Sequence, residues 1–510
     1  MANSVARRDV LRSGLGAGVW LAGLKISDLV EAVPSVSGRP FRADAKERPG
    51  GSDDLAYLTI AEASELIRAR KLSPVELVDA CLARIYKHDE AIQAWVTVLP
   101  EVARAEAKAA ADEIARRGVR SPLHGIPIGH KDLYDMRGVR TTAGSKVRSD
   151  APPAKRDSAV VAMLRAAGAI ALGKTNTHEF AYGVRTPPTS NPWDQTRIPG
   201  GSSGGTAAAL AAGMCLGGSG SDTGGSIRIP SSLCNTVGIK ATFGRVSKAG
   251  LDPLAWSEDH AGPMARSVED CALMLNLIAG PDRGDPTTVS APVPDFSAGL
   301  GKSVRDLVVG VPTSFFFEGA DPETERVVRE AIPALKATGV KVRKIDMPPT
   351  QQAAATAYLV VQLVEPLAAH EHYLRQRPHD YQSQTQALFA LGTPWTGQHY
   401  MRAQRIRTIY IRQWMKVFDK VDAVLAPTTP RPAPTKIEGE ATGVFELVNY
   451  TSAFDFNGCP SISVPADLTN EGLPVGLMLS ARPFNETMLL RLAYAYQKET
   501  GFNRRRPKLD

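Results

Sequence analysis

The amino-acid sequence predicts an α/β fold, in which a central β-sheet carries helices on both of its faces. Short apolar segments typical of buried strands alternate along the chain with longer segments of helical periodicity. This alternation is typical of a sheet that is covered on both sides. The composition, 43% hydrophobic and 22% charged, is that of an ordinary soluble globular protein. We therefore expect one domain over about residues 54–505.

The first helices are predicted from their N-terminal capping signals. Thr59 and Glu62 form one capping box, and Ser73 and Glu76 form a second, with Pro74 at the first helical position. Further helices are predicted over residues 101–117, 158–167, 206–212 and 267–278, and a mostly helical segment, 350–412, is interpreted as an insertion that covers one edge of the sheet.

The strands are predicted where short apolar runs stand between turn signals. These runs cover residues 126–128, 169–172, 215–219, 308–311, 340–345, 423–425 and 462–464. The chain shows no internal repeat and no low-complexity block, so the alternation of strands and helices is the main guide to the fold.

The first 35 residues have the features of an export signal. Arg7 and Arg8 precede an apolar, glycine-rich stretch, and the arginine pair resembles a twin-arginine signal, which exports proteins already folded. An irregular tail that carries two arginines by chance is the alternative. The apolar stretch ends at Lys25, too short to span a bilayer, so we expect no stable membrane insertion after export. We assign residues 1–35 to a twin-arginine-type signal segment and 36–53 to a linker, and expect a periplasmic or secreted protein.

Charge distribution and ligand spacing argue against several classes of partner. The net charge of +7 comes from scattered basic residues and two terminal clusters, which do not form the basic stripe that nucleic-acid binding requires. The five cysteines are widely spread with no CxxC pair, which predicts neither a disulfide framework nor a zinc site. The densest group of potential metal ligands is His370, Glu371 and His372, but residues two apart do not share a helix face. We expect no nucleic acid, no metal and no cofactor.

The most unusual local sequence is Gly-Gly-Ser-Ser-Gly-Gly at residues 200–205, here called the glycine loop. Its four glycines permit positive φ angles and close backbone approach. A phosphate-binding loop would need a lysine beside its final Ser or Thr, whereas Thr206 is followed by alanine. A plain tight turn remains the structural alternative.

A second glycine-rich turn, residues 222–226, follows after one helix and one strand and is here called the second turn. A helix of about 10 residues advances roughly 15 Å, and a strand of about 5 residues returns roughly 16 Å. Ser202 and Ser226 should therefore face one another across the two turns. Such paired turns also display backbone N–H groups, the donors that a tetrahedral oxyanion needs.

A serine nucleophile needs a base, and no histidine lies in either turn. His124 and His130 lie elsewhere, and a lone histidine is usually structural. Lys131 ends the apolar segment GIPIGHK and is the stronger candidate, although a lysine that leaves a strand usually points to solvent. It can act as a base only when neutral, which requires desolvation to lower its pKa well below about 10.4.

Residues 173–247 resemble the amidase signature family almost throughout, with IPGGSSGGTAAALAAG and GSDTGGSIRIPSSLCNTVGIKATFGRVS as the most specific stretches. The upstream LHGIPIGHKDLYD resembles the lysine segment of that family. The segments HAGPMARSVEDCALML and GCPSISVPADLTNEGLPVGLMLSARPFNETMLL resemble its framework. The resemblance implies a single large amidase signature domain, residues 54–505, with a central mixed β-sheet.

The resemblance also implies a Ser-Ser-Lys triad. Ser226 matches the nucleophile that forms an acyl-enzyme. Ser202 matches the serine that is held by a cis peptide bond and relays the proton, and Lys131 matches the base. The implied oxyanion hole consists of the backbone N–H groups of Thr223, Gly224, Gly225 and Ser226.

Residues near the triad are assigned supporting roles. Ser203 is a rival for Ser202, but the family spacing matches Ser202. Asp222 and Arg228 flank the nucleophile and are expected to brace the turn as an exposed or half-buried pair. Cys215 and Cys234 are interpreted as small core residues. The predicted substrate-binding residues are Gly200, Gly201, Tyr134 and Tyr182, and the wider pocket wall is drawn from Met136, Tyr358, Phe389, Trp395 and other parts of 350–455.

The resemblance implies hydrolysis of a small-molecule amide-type substrate: an amide, an anilide or a carbamate. The alternative is a glutamine-dependent amidotransferase A-type subunit, which resembles the chain across the same signature. Those subunits carry an acidic residue that holds the amino group of glutamine, and our alignment places Val448 there. A non-enzymatic envelope-binding protein is a third class. The family also allows a homodimer, which no residue pattern in the sequence indicates.

Overall fold

The computed structural model of this protein describes residues 51–441 and 445–509. The predicted export signal, residues 1–35, lies outside the described residues, as does the predicted linker up to residue 50. The part of the chain that is described is built on one mixed sheet.

Eleven strands form this sheet, in the order β1-β3-β2-β4-β6-β5-β10-β11-β9-β7-β8. Strands β2, β3 and β4 pair in parallel, as do β7, β8 and β9, and the remaining neighbours are antiparallel. Their bounds are β1 Trp95–Val98, β2 Pro127–Lys131, β3 Ile170–Thr175, β4 Gly217–Asp222, β5 Val237–Lys240, β6 His260–Ala265, β7 Val308–Pro312, β8 Lys341–Ile345, β9 Ala423–Pro427, β10 Ser461–Leu468 and β11 Pro474–Ala481.

Helices connect and cover the strands. The α-helices are α1 Ser52–Ala56, α2 Ile60–Arg68, α3 Pro74–Ile92, α4 Pro100–Arg117, α5 Ala159–Ala166, α6 Gly204–Ala211, α7 Arg228–Leu233, α8 Val268–Ile278, α9 Pro322–Ala337, α10 Gln351–Gln376, α11 Ser383–Gly392, α12 Gly397–Phe418, α13 Lys436–Ala441, α14 Phe445–Val448, α15 Ser452–Phe456 and α16 Glu486–Thr500. Short 3₁₀ turns cover Lys146–Arg148, Glu179–Ala181, Pro378–Asp380 and Phe502–Arg504.

Two neighbouring glycines of β4 show that helices pack on both faces of the sheet. A side chain at Gly217 would meet Met274 of α8 at 2.9 Å, and one at Gly218 would meet Thr206 of α6 at 2.5 Å. Successive residues of a strand point to opposite faces, so α8 and α6 lie on opposite sides of the sheet. The predicted α/β fold, a mixed sheet with helices on both faces, is confirmed.

Local sequence signals account for several element boundaries. Both predicted capping boxes are present: the N–H of Thr59 donates to Glu62 at 3.0 Å, and the N–H of Ser73 donates to Glu76 at 2.9 Å. The strand predicted over 215–219 begins two residues later, at Gly217.

The insertion over residues 350–412 is helical, as predicted. Its helix α10 packs against α15 and reaches the second turn, where Tyr358 lies against Gly224. The insertion therefore contributes to the site between the two turns. Its prediction as an edge cover did not include this contribution.

All five cysteines are free and buried, and the predicted core residues Cys215 and Cys234 are among them. Of the helices in the described ranges, none is both long and apolar enough to cross a membrane. The described His, Cys, Asp and Glu side chains form no cluster of three or more that could hold a metal ion.

Candidate active site

Lys131 is the last residue of β2 and is completely buried. Its Nζ donates to Ser202 Oγ at 2.6 Å and to Ser221 Oγ at 2.9 Å. Within the described residues no carboxylate lies at ion-pair distance from this amine. Burial lowers the pKa of Lys131 well below its usual range, although Asp222 and Asp259 act in the opposite direction. The direction of this shift favours the neutral amine, which is the state that a base requires.

The glycine loop and the second turn lie side by side, as the lengths of the intervening helix and strand predict. The N–H of Ser203 donates to the carbonyl oxygen of Ser226 at 3.1 Å and ties the two turns together. The peptide bond between Gly201 and Ser202 is cis. Gly200 and Gly201 shape this loop and do not line the cavity described below.

The two serines of the glycine loop have different partners. Ser202 accepts from Lys131, whereas Ser203 Oγ donates to the backbone oxygen of Ser221 at 3.3 Å. The structure therefore places Ser202 beside the lysine and leaves Ser203 as a brace between the glycine loop and β4.

The second turn presents backbone donors next to Ser226. The N–H groups of Thr223, Gly224 and Ser226 make no hydrogen bond within the part of the chain that is described. The N–H of Gly225, by contrast, donates to Asp222 Oδ1 at 2.7 Å. The prediction of four oxyanion donors is therefore wrong for Gly225, because the Asp222 carboxylate occupies this group. Three N–H groups remain free to face a substrate oxygen.

A buried ionic network of Asp222, Arg228 and Asp455 stabilises the second turn. Arg228 Nη2 lies 2.9 Å from Asp222 Oδ1 and 2.5 Å from Asp455 Oδ2, and all three side chains are fully buried. Burial alone would raise the pKa of Asp222, but Arg228 lowers it below its usual range. The predicted pair of Asp222 and Arg228 exists, but it is fully buried, where the sequence suggested an exposed or half-buried pair. Asp222 balances the charge of Arg228, and Asp455 is a second partner, whose pKa burial raises well above its usual range.

A cavity opens onto Ser226, which is 5% exposed. Its wall is almost entirely apolar, and none of its lining side chains is charged. The lining residues are Ala181, Tyr182, Gly183, Val184, Thr223, Gly224, Ser226, Leu254, Tyr358, Leu359, Gln362, Leu363, Leu388 and Val448. Tyr182 and Tyr358 therefore lie where the sequence placed them, in the pocket wall.

Four other predicted wall residues do not reach this cavity. Tyr134 is buried, and its hydroxyl donates to the backbone oxygen of Gly220 at 2.6 Å, so it supports β4 from behind. Met136 is buried in the core. Phe389 packs against Tyr182 behind the cavity wall, and Trp395 is half-exposed beside His399.

The histidines weighed as alternative bases have other partners. His130 is fully buried, its Nδ1 lies 3.3 Å from Ser219 Oγ, and burial lowers its pKa to about 3. His124 accepts from the N–H of Arg120 at 3.2 Å. Neither hydrogen-bonds to a serine of the glycine loop or the second turn.

Three polar residues at the cavity were not predicted. Gln362 lines the wall and donates to Glu258, which is completely buried. Burial raises the pKa of Glu258 to about 8. Thr451 Oγ1 donates to the backbone oxygen of Gly224 at 2.5 Å. These three residues come from distant parts of the chain, and no local pattern predicts them. Asp455 of the ionic network does have a local signal, because it is a charged residue within the otherwise apolar segment SAFDF.

Comparison with known proteins identifies the family to which this site belongs. The family model described as Amidase matches residues 76–490. The chain belongs to the amidase family. The chain is 42% identical to the amidase of Pseudomonas putida, over 89% of this chain and 98% of that protein. It is a hydrolase that acts on amide bonds.

Other amidase-family proteins are similar over nearly the same length. The A-type subunit of the glutamyl-tRNA(Gln) amidotransferase of Myxococcus xanthus is 40% identical, over 88% of this chain and 99% of its own length. A solved chain from a vestigial protein complex linked to the origins of an s-triazine catabolic enzyme superposes with a TM-score of 0.82. That chain is 36% identical, over 88% of this chain and all of its own length. The similar proteins thus include both an amidase and a subunit of an amidotransferase.

Proposed function

We propose that this amidase cleaves its substrate with Ser226 as nucleophile, Ser202 as proton relay and Lys131 as base. The observation that supports it most directly is the environment of Lys131: a fully buried amine, 2.6 Å from Ser202 Oγ and without a carboxylate partner in the described residues. An unpaired buried lysine is costly unless it stays neutral. A neutral amine beside a serine hydroxyl is the arrangement of a general base.

In the first half of the reaction, Ser226 Oγ forms a bond to the carbonyl carbon of the amide. Its proton passes to Ser202, whose own proton passes to Lys131 Nζ. The C–N bond then breaks, and the departing nitrogen takes a proton back along the same path. In the second half, water adds to the acyl-enzyme and loses its proton by the same route; the bond between Ser226 Oγ and the acyl carbon then breaks, Oγ takes that proton back, and the acid is released.

The negative charge that develops on the substrate oxygen is stabilised by backbone dipoles. The N–H groups of Thr223, Gly224 and Ser226 are free for this purpose within the described chain. The ionic network under the turn fixes their direction, because Asp222 also accepts from the N–H groups of Ile227 and Arg228. A donor set that is already oriented costs no reorganisation when the charge develops.

The substrate we propose is uncharged and carries a compact apolar group next to the scissile bond. The wall contains leucines 254, 359, 363 and 388 and no charged side chain. Burying a substrate charge there without a partner would be unfavourable. Val448 lies in this wall, at the position where our alignment expects the acidic residue of an amidotransferase. The apolar side chain favours a free-standing amidase over glutamine binding.

We also propose that the enzyme acts outside the cytoplasm. The adjacent Arg7 and Arg8 support export by the twin-arginine route, and the free buried cysteines suit a protein that folds before export. Replacement of both arginines by lysine should retain the protein in the cytoplasm, measured by cell fractionation. Unchanged export of the double variant would contradict the proposed route.

The proposed chemistry is tested by product release from a panel of primary amides, anilides, carbamates and glutamine, followed by mass spectrometry. Ser226→Ala should abolish release, and a serine-reactive phosphonate should label Ser226 in the native protein only. Ser480→Ala, which removes a buried hydroxyl that bonds only to Ser461 across β10 and β11, is the matched control. Release that persists in Ser226→Ala would contradict the mechanism, and ammonia release from glutamine alone would favour the amidotransferase function.

A further inference from the structure

One side chain places an amide group in the mostly apolar wall of the cavity. Gln362 lies on α10 and lines the cavity that opens onto Ser226. Its Nε2 donates to Glu258 Oε2, and it also donates to the backbone oxygen of Thr223 at 3.4 Å. The side chain is thus tied to the second turn, three residues before the proposed nucleophile.

These two partners fix the orientation of the amide group. A backbone carbonyl such as that of Thr223 can only accept, so the nitrogen of Gln362 must point toward it. Glu258 has an oxygen that can accept whether or not its carboxyl group is protonated. The carbonyl oxygen, Gln362 Oε1, is left without a hydrogen-bond partner among the described residues. It is an oriented acceptor on a side chain that lines the cavity.

The backbone on either side reinforces this orientation. The hydroxyl of Tyr182 donates to the main-chain oxygen of Gln362 at 2.7 Å, which fixes α10 against the cavity wall. Tyr358 lies one helical turn earlier and lines the same cavity, and its hydroxyl approaches the second turn at Gly224. An acceptor held this rigidly discriminates between substrates, because a molecule that lacks a matching donor leaves it unpaired.

We propose that Gln362 is a specificity-determining residue: its Oε1 accepts a hydrogen bond from an O–H or N–H group that the preferred substrate carries next to the scissile carbonyl. The inference rests on the proposed function and narrows the substrate class to compact, uncharged amides with a donor on the acyl side. Glu258 acts through Gln362 as a positioning residue.

The test uses anilide pairs that differ by one hydroxyl group: propionyl against lactoyl p-nitroanilide, and acetyl against glycoloyl p-nitroanilide. Native protein should prefer the hydroxylated member of each pair by about tenfold or more in kcat/KM, the expected gain from one well-oriented hydrogen bond. Gln362→Met keeps the side-chain length but removes the acceptor, so the kcat/KM ratio between the two members of each pair should fall to about one, whatever the change in overall rate.

Gln351→Met is the matched control. Gln351 lies on the same helix, is 7% exposed like Gln362, and accepts from the hydroxyl of Tyr410 away from the cavity. This variant makes the same chemical change and should keep the preference of the native protein. A preference that is equally lost in both variants would overturn the assignment, since the effect would then be one of helix stability.

The remaining outcomes are also distinguishable. A native protein that hydrolyses both members of each pair equally, or a Gln362→Met variant that keeps the preference, would overturn the assignment. A preference lost in Tyr358→Phe but kept in Gln362→Met would assign it to the Tyr358 hydroxyl instead. The absence of any Ser226-dependent release from these anilides and from the amide panel would refute the proposed function itself, and this inference with it.

Discussion

Two fully buried lysines lie on neighbouring parallel strands and behave differently. Lys174 of β3 lies 2.8 Å from Asp132 Oδ1 and donates to Thr141 at 3.2 Å. Lys131 of β2, which pairs with Thr175 one residue further along, has two serine hydroxyls and no carboxylate at ion-pair distance within the described ranges. Burial is the same at both sites, so it is the partner that decides the role. A lysine with a carboxylate is part of the framework, and one with only hydroxyls can exchange a proton.

Removal of each amine should therefore have a different consequence, and the largest effect is expected at Lys131. Lys131→Met should lower kcat/KM by about 10²–10⁴-fold, because the proton acceptor is lost while the volume is kept. Folding should be retained, since no buried charge is left without a partner. Steady-state kinetics on any hydrolysed amide measure the loss of kcat/KM, and a thermal melt measures whether folding is retained. Activity within a few-fold of the native protein would show that Lys131 is not the base.

At Lys174 we expect the larger loss in stability. Lys174→Met leaves the Asp132 carboxylate buried without its cation, which should cost about 3–5 kcal/mol in the free energy of unfolding. Denaturant unfolding measures this change, and the double variant with Asp132→Asn should recover part of it. The activity of the folded fraction should stay close to native. A stable but inactive Lys174→Met would contradict the distinction between the two lysines.

A carboxylate introduced beside Lys131 should remove the difference between the two lysines. In Ser221→Asp the new carboxylate lies beside Nζ and should raise the pKa of Lys131, so the amine becomes charged near neutrality. The acid limb of the kcat/KM profile should then move to higher pH by roughly 1–3. Ser221→Asn has the same size without the charge and should not move it. An identical limb in both variants would contradict a neutral lysine base.

The smallest predicted effect concerns stability against pH. The pKa of Lys131 is lowered in the folded protein, so the unfolded chain binds more protons at any pH between that value and about 10.4. Relative to Lys131→Met, the native protein should lose stability as pH falls below about 10.4, by at most about 1.4 kcal/mol per pH unit. The free energy of unfolding of both proteins, measured between pH 7 and 10, tests this direction. A stability difference between them that stays constant over this range would contradict the prediction.

The sequence predicted the fold class and the meeting of the two turns because both depend on local pattern. The hydrogen bond from the N–H of Ser203 to the carbonyl oxygen of Ser226 shows that the chain does return after the intervening helix α6 and strand β4. The roles of Lys131 and Ser202 came from the family resemblance. Composition and periodicity alone would have left the lysine at the surface.

The errors in the predicted pocket have a physical origin in strand direction and distance along the chain. Tyr134 is predicted in the wall, yet its hydroxyl donates to the backbone oxygen of Gly220 behind β4. Gln362 and Glu258 meet across 104 residues, and no local pattern reports such a contact. Strands β5 and β6 were not predicted, since VGIK and HAGPMA carry small and polar residues where a central strand usually has large apolar ones.

The order of strands in the sheet has a consequence for the synthesis of the enzyme. All three residues of the proposed triad have been translated by residue 226, but β10 and β11 lie between β5 and β9, in the middle of the sheet. Arg228 has Asp222 as a partner six residues earlier, but its second partner, Asp455, is translated 227 residues later. A nascent chain that has reached Arg228 therefore holds the proposed triad and Asp222, but not yet Asp455 or the two central strands. A chain that stops before β10 would therefore leave the strands on either side of β10 and β11 unjoined.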